Sequence, residues 1–341
     1  MTGEDRMAEF DMAEELMKAE SYPRGVDSVS LIQTHISWVF LTGKYCYKVK
    51  KPVDFEFLDF STLEKRKFYC EEELRVNRRL CPDIYVDVVP ITRDSGGLHV
   101  EGKGDAIDYA VKMVQLPQER RMDLLLEEGK VDGDVIDEIS KTLAEFHGAA
   151  RTGEGINTYG SLETIKANWS QNFEQTRNLR GSLIPEDLFD SIEKAVGEFM
   201  QGNSKMFNER IKSNRIRECH GDVHSGNIFV DGRIYIFDAI EFNPAFSCSD
   251  TAAEIAFLGM DLDFKERKDL SESFVDGYVE CSRDGGVHDL LNFYKCYRAY
   301  VRAKVIGFKL FDAGVGQEEK GEAERLCKEY FSLAQEYAVN F

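Results

Sequence analysis

His220-Gly221-Asp222-Val223-His224-Ser225-Gly226-Asn227 runs directly into Ile228-Phe229-Val230, then Asp231-Gly232, then Arg233-Ile234-Tyr235-Ile236-Phe237 and Asp238. Asp-Gly between two apolar runs is a strong two-residue β-hairpin signal, because the turn needs positive φ angles that these residues tolerate. Counting outward from the turn pairs 230 with 233, 229 with 234, 228 with 235 and 227 with 236. Side chains two apart in a strand share a face, so Asn227 and Asp238 become diagonal neighbours, roughly 7–8 Å apart at the backbone. An amide oxygen and a carboxylate converging from that spacing suit one Mg²⁺, which takes oxygen ligands at about 2.1 Å. Asp222 lies on the preceding loop, where it can face an incoming hydroxyl. A lone loop aspartate is most simply a turn former; His220, Asp222, Asn227 and Asp238 at this spacing point instead to chemistry.

The run resembles the aminoglycoside phosphotransferase and choline-kinase branch of the protein-kinase-like superfamily. That branch carries HGDxHxxN and a later hydrophobic-hydrophobic-Asp where protein kinases carry HRDxxxxN and DFG. The continuation Phe237-Asp238-Ala239-Ile240-Glu241-Phe242-Asn243 resembles a bacterial and archaeal subgroup of predicted aminoglycoside-phosphotransferase-family proteins, some fused to a P-loop kinase domain. No GxxxxGK[ST] occurs in this chain.

The resemblance covers about residues 35–300 and implies an ATP- or GTP-dependent kinase with Mg²⁺ on Asn227 and Asp238 and Asp222 as the base. Tyr45-Cys46-Tyr47-Lys48 fits the strand whose lysine pairs nucleotide phosphates, with Lys50 as a rival on the same strand face. Glu73, in Glu73-Leu74-Arg75-Val76-Asn77, fits the helical glutamate that holds this lysine, although the neighbouring Glu71 and Glu72 leave that choice open. There is no GxGxxG over the phosphates; Thr34-His35-Ile36-Ser37 stands there, and Ser37 is the candidate phosphate contact. Met113, Val114, Gln115 and Leu116 fall where the family binds adenine through backbone groups. Leu143-Ala144-Glu145-Phe146-His147 resembles the helix end before the catalytic loop, and His220 and Asp250 are expected to support that loop. The acceptor is expected near Glu241, Asn168, Trp169 and Asn172, although core packing competes for the 168–173 stripe.

Working outward, the expected fold class is α+β, a two-lobed protein-kinase-like fold. Residues 1–27 are expected to form a charged helix. Residues 28–117 form an antiparallel sheet lobe with one long helix and a hinge at 113–117, and 118–341 a helix-rich lobe with the catalytic hairpin. In the first lobe, Trp38 to Leu41 and Tyr45 to Lys50 flank Thr42-Gly43 as a hairpin. Ser61 with Glu64 reads as a capping box opening a helix to about Leu80. Residues 161–212 read as helical, broken at Gly181 and Pro185.

The chain of 341 residues is 43% hydrophobic and carries a formal net charge of −19, so it can build a core but offers no basic stripe for a nucleic-acid backbone or an anionic membrane. No run approaches the ~18 apolar residues of a membrane span. Eight cysteines without a CxxC pair read as reduced thiols, and the acidic opening residues do not read as a leader, so a cytoplasmic location is expected. The acidic balance favours a neutral or cationic small-molecule acceptor with a free hydroxyl. Lys295, Arg298 and Arg302, on one face of a late helix, are expected to pair with acidic surface groups.

Two rival readings compete. Gly221-Asp222-Val223-His224 also matches the GDxH of metallophosphoesterases, but that class also needs an upstream DxH and a GNH[DE], and this sequence has neither. A kinase-fold protein that binds nucleotide without turnover would ordinarily have lost one of Lys48, Asp222, Asn227 or Asp238, and all four are present.

Overall fold

The computed structural model describes residues 12–312 and 314–341. These fall into two compact units, one of residues 1–120 with 235–244 and one of 121–234 with 245–341.

The first unit is built on a six-stranded antiparallel sheet. Its strands are β1 (Ser30–Gln33), β2 (Ser37–Leu41), β3 (Tyr45–Lys50), β6 (Tyr85–Asp94), β7 (Gly97–Val100) and β8 (Ala106–Val114), ordered β1-β2-β3-β8-β6-β7. A short hairpin, β4 (Asp54–Phe55) with β5 (Leu58–Asp59), and helix α1 (Leu63–Asn77) complete it. The β2–β3 turn falls at Thr42-Gly43, where Gly43 has a φ of 94° and the Thr42 amide bonds the Tyr45 carbonyl at 3.0 Å.

Strand alternation divides the sheet's two faces. On one, Trp38, Phe40, Tyr47 and Val49 pack with Leu16 and Tyr22, so the described part of the amino-terminal segment covers the sheet. Residues 1–11 of the expected charged helix lie outside the described residues; residues 12–15 are helical, and a 3₁₀ turn follows at Ala19–Ser21. The other face presents Cys46, Val111 and Met113 to Cys70 of α1. Lys48 and Lys50 share the strand parity of Cys46, so both ammoniums are directed to the α1 side.

Helix α1 starts one residue later than the capping box implied and stops at Asn77 rather than Leu80. Asp59 takes both the amide and the hydroxyl of Ser61, leaving Thr62 to cap the helix by accepting from the Lys65 amide at 3.3 Å. Arg66 anchors the helix to Asp108 with contacts of 2.9 and 3.0 Å.

The second unit is mainly helical: α2 (Met122–Glu127), α3 (Gly133–Ala149), α4 (Leu162–Thr176), α5 (Glu186–Gly202), α6 (Ser204–Lys212), α7 (Thr251–Phe264), α8 (Lys268–Ser282), α9 (Gly286–Phe308) and α10 (Gln317–Ala338). Residues Thr251 through Leu262 of α7 are all buried, which makes it the central helix, as expected of a helix apolar on all sides. Strands β9 (Ile216–Glu218) and β12 (Cys248–Asp250) pair antiparallel beneath the loop that begins at Cys219. Strand β10 (Ile228–Val230) pairs with β11 (Ile234–Ile236), and the Asp231 amide bonds the Arg233 carbonyl at 3.1 Å across the turn. Among the described residues, no helix is long and apolar enough to cross a membrane.

Candidate active site

In the first unit, Lys48 lies between two carboxylates. Its Nζ is 2.9 Å from Glu73 Oε1 and 2.5 Å from Asp238 Oδ1. Glu73 is fully buried, whereas Glu71 and Glu72 lie on more exposed faces of α1, so burial decides among the three glutamates. Lys50 also reaches Glu73, at 2.7 Å through Oε2, and binds Glu241 as well. Both lysines therefore share Glu73. Burial disfavours their charged forms, yet the carboxylates around them, led by Asp238 for Lys48 and by Glu241 for Lys50, raise both pKa values above the ordinary lysine value. Burial likewise works against ionised Glu73, but the two ammoniums hold its pKa down at about 2. Glu241, where burial dominates, is raised.

Asp238 belongs to this unit rather than to the helix-rich one, for a local reason. The Asp238 amide donates to the Tyr85 hydroxyl at 3.1 Å and the Ala239 amide to Asn77 Oδ1 at 2.8 Å. Cys81 Sγ donates to the Ile236 carbonyl at 3.1 Å. These bonds hold Asp238 at a φ of 65°. Its residue class tolerates that left-handed conformation better than most. The strand-face count from Asn227 to Asp238 is therefore corrected: Asp238 lies beyond β11 in this bend, and Asn227 closes a 3₁₀ turn over Ser225–Asn227.

The expected hinge residues end β8. Met113 is buried, and the amides of Val114 and Gln115 donate to the carbonyls of Ile84 and Lys44 at 2.9 and 3.1 Å. The Leu116 carbonyl accepts from Gln118 at 3.3 Å, while the Leu116 N–H has no acceptor among the described residues. Ser37 is 1% exposed, and its buried hydroxyl has no partner among the described residues.

The candidate catalytic loop lies in the second unit, pinned by buried Val223 and His220. The Asp222 amide donates to His220 Nδ1 at 3.3 Å, and the Gly226 amide to His224 Nδ1 at 3.1 Å. Asn227 Nδ2 donates to both the Asp222 carbonyl at 3.0 Å and its Oδ2 at 2.9 Å, fixing the side chain of each against the other. His224 Nε2 lies 3.5 Å from the same carboxylate. Burial would raise the Asp222 pKa, but the bond and charge of His224, with Arg302 and His220 behind it, hold it well below the usual carboxylate range.

Asp250 caps α7 by accepting from the Ala252 amide and binds Arg210 through both oxygens, while Arg210 also holds Asp284 at 2.5 Å. The loop is braced by Glu254 and Asp261, which accept from the Gly221 amide at 2.6 Å and the Ser225 amide at 2.8 Å. Glu254 also meets His147 Nε2 at 2.7 Å, and His147 Nδ1 meets the Tyr278 hydroxyl at 2.8 Å. Two carboxylates seven apart in an otherwise apolar run are the sequence signal for this brace. Cys219 lies near His147 and Glu254, a trio with the donor set of a metal site, but the brace already engages both imidazole nitrogens and both Glu254 oxygens.

Of the acceptor candidates, Glu241 lies in the first unit and Asn168, Trp169 and Asn172 in the second. Glu241 is spent on Lys50, its side chain 5% exposed. Trp169 packs on Phe173, Phe293, Tyr297 and Tyr300, and Asn172 is 2% exposed and accepts from Lys304 at 2.6 Å. Asn168 is half-buried on the same helix. Of the late-helix cations, Lys295 pairs with Asp263 at 2.8 Å. Arg298, on a different face of α9 from the Trp169 contacts, donates to the Gly221 and Ala253 carbonyls.

No protein-family model matches the chain. Uncharacterised proteins of Mycobacterium tuberculosis (strain H37Rv) and Mycobacterium bovis are 34% identical to it over 278 residues, 81% of this chain and 54% of each relative. The chain thus spans about half the length of the curated relatives it matches. Among solved structures, a choline/ethanolamine kinase family protein from Mesorhizobium loti aligns with a TM-score of 0.55 at 12% identity, covering 97% of this chain and all (100%) of that one. A Ralstonia eutropha protein assigned as an aminoglycoside phosphotransferase aligns with a TM-score of 0.51 at 12% identity, covering 96% and 98%. With the lysine–glutamate pair and the HGD loop in place, these likenesses give the chain the α+β protein-kinase-like fold of choline/ethanolamine kinase and aminoglycoside phosphotransferase-type proteins.

Proposed function

We propose that the chain is a phosphotransferase that moves the γ-phosphate of ATP or GTP to a hydroxyl of a small molecule. The observation that carries this reading is Lys48, an ammonium held by buried Glu73 beside the half-exposed carboxylate of Asp238. A lysine fixed in this way is suited to phosphate oxygens. The solved neighbours named for choline/ethanolamine kinase and aminoglycoside phosphotransferase support an amino-alcohol, sugar or aminoglycoside-like acceptor. Nucleotide use and thiol-rich composition fit a cytoplasmic enzyme.

The residues suit Mg²⁺. Asp238 engages Lys48 through Oδ1 only, and Asn227 spends its amide nitrogen on Asp222, so each keeps an uncommitted oxygen among the described residues. Mg²⁺ held by Asn227 and Asp238 would neutralise charge on the phosphoryl oxygens. Lys48 binds and aligns the phosphates, and the Leu116 N–H serves the adenine edge. Asp222, ionised across the neutral range, orients the acceptor hydroxyl and takes its proton at a carboxylate oxygen. Its low pKa makes it a stronger orienting group than early base, which suits a loose phosphoryl-transfer transition state.

The test is nucleoside-diphosphate release from ATP and from GTP, with and without Mg²⁺, across a panel of sugars, amino-alcohols, nucleosides and aminoglycosides. Acceptor-stimulated release supports the reading. Phosphoester hydrolysis without nucleotide would assign the loop to a phosphoesterase, and nucleotide binding without turnover on any acceptor would leave a binding protein.

A further inference from the structure

Lys50 is a second lysine in the nucleotide cluster with no task in the mechanism above. It is 1% exposed, donates to Glu73 and Glu241, and lies 4.9 Å from the centroid of the Phe60 ring. No phosphate can reach it there. What it changes is the charge around it. The cluster holds three carboxylates, Glu73, Glu241 and Asp238, against two ammoniums, Lys48 and Lys50.

A buried carboxylate needs a compensating charge, and losing one partner of a buried pair is costly because the other is left uncompensated. With Lys50 in place, Glu241 is neutralised by Lys50 and Glu73 by Lys48. The excess negative charge then rests on Asp238, whose side chain is 44% exposed and the most accessible of the three carboxylates. Without Lys50, two buried glutamates would compete for the ammonium of Lys48 and draw it off the phosphates. Glu241 also follows Asp238 by three residues, so its bond to Lys50 fixes the exit of the bend whose entrance Tyr85 and Asn77 fix.

We infer that Lys50 is a positioning residue, which through Glu73 and Glu241 reserves Lys48 for nucleotide phosphate and Asp238 for the divalent cation while touching neither ligand. This rests on the phosphotransferase reading and adds to it a lysine and a glutamate with defined tasks. Glu241 thereby serves the nucleotide side of the reaction rather than the acceptor.

The test is calorimetric titration of ATP, with Mg²⁺ and with chelator, into the full chain and its variants, each checked for folding by circular dichroism. Wild type is expected to bind ATP more tightly with Mg²⁺ than without. Lys50→Met should lose that increment, weakening Mg²⁺–ATP binding about tenfold or more, and should weaken chelated ATP by a smaller factor as Lys48 is drawn off the phosphates. The double variant Lys50→Met/Glu241→Gln removes the orphaned carboxylate too, and should regain the increment to within about threefold. A folded Lys50→Met that keeps the full increment overturns the inference and leaves the phosphotransferase reading intact. If Lys50→Met does not fold, the double variant decides, and a folded double variant without the increment also overturns it. A wild-type chain that binds no nucleotide in either condition overturns the phosphotransferase reading itself.

Discussion

Asp222 is held by three neighbours, and each makes a different demand on it. Asn227 fixes its direction, His224 stabilises its charge, and the backbone bond to His220 sets the loop that carries it. Asp222→Asn keeps the shape and removes the charge, so turnover should fall by about 10²–10⁴-fold, the usual worth of a positioned acid–base group. Mg²⁺–ATP binding should persist, because Asp222 is not proposed as a metal ligand. Its lowered pKa adds a second expectation: a pH–rate profile should show no acid-side inflection from this carboxylate between about pH 5 and 7. Lys48→Met should instead weaken nucleotide binding along with turnover, read by the same titration. Residues whose roles depend on short spacing, such as Asp222, Asn227, Asp238 and Lys48, were legible as candidates in the sequence. The partner of Glu241 was not, since Lys50 lies 191 positions away and no local pattern marks the pair.

At the scale of the element, α7 supplies the carboxylates that hold the candidate catalytic loop. Glu254 and Asp261 turn inward to take loop amides, and a buried carboxyl group needs such hydrogen bonds to offset its lost hydration. Burial opposes Glu254's charge, but His147 and the Gly221 amide, with His220 nearby, keep its pKa below the ordinary value. Glu254→Gln should lower kcat with little effect on the Kd for Mg²⁺–ATP, a split that general destabilisation would not produce. Arg210 makes a separate case: removing it strands Asp250 and Asp284, both buried, so Arg210→Met should cost about 3–5 kcal/mol in urea unfolding. The helical pattern from 161 to 212, with Gly181 at a φ of 75°, was readable from periodicity and breakers. The start of α1 was not, because Asp59 competes for Ser61 from outside the helix, and a capping pattern does not reveal its competitors.

For the molecule as a whole, the decisive quantity is how many carboxylates the fold keeps ionised against burial. The sequence gives the net charge of −19 but not which of the acids are buried, since exposed and buried acids count alike in composition. Glu73, Asp222 and Glu254 have folded pKa values below their ordinary ones, with Glu73 at about 2. The folded chain therefore binds fewer protons at these groups than the unfolded chain, and their contribution is complete above about pH 4.5 and lost as pH falls toward 2. Glu241 and Asp108 act in the opposite sense: burial raises both, so their contribution is present at low pH and lost as pH rises through the raised values. Mild acidification also relieves like-charge repulsion on an acidic protein. Together these terms predict a Tm that holds level or rises slightly from about pH 8 to 5 and then falls steeply below about pH 4. Scanning calorimetry across that range checks it, and Glu73→Gln should lower the plateau while making the acid fall shallower. A Tm that already falls between about pH 7 and 6 would place the titrating groups elsewhere than on these buried carboxylates.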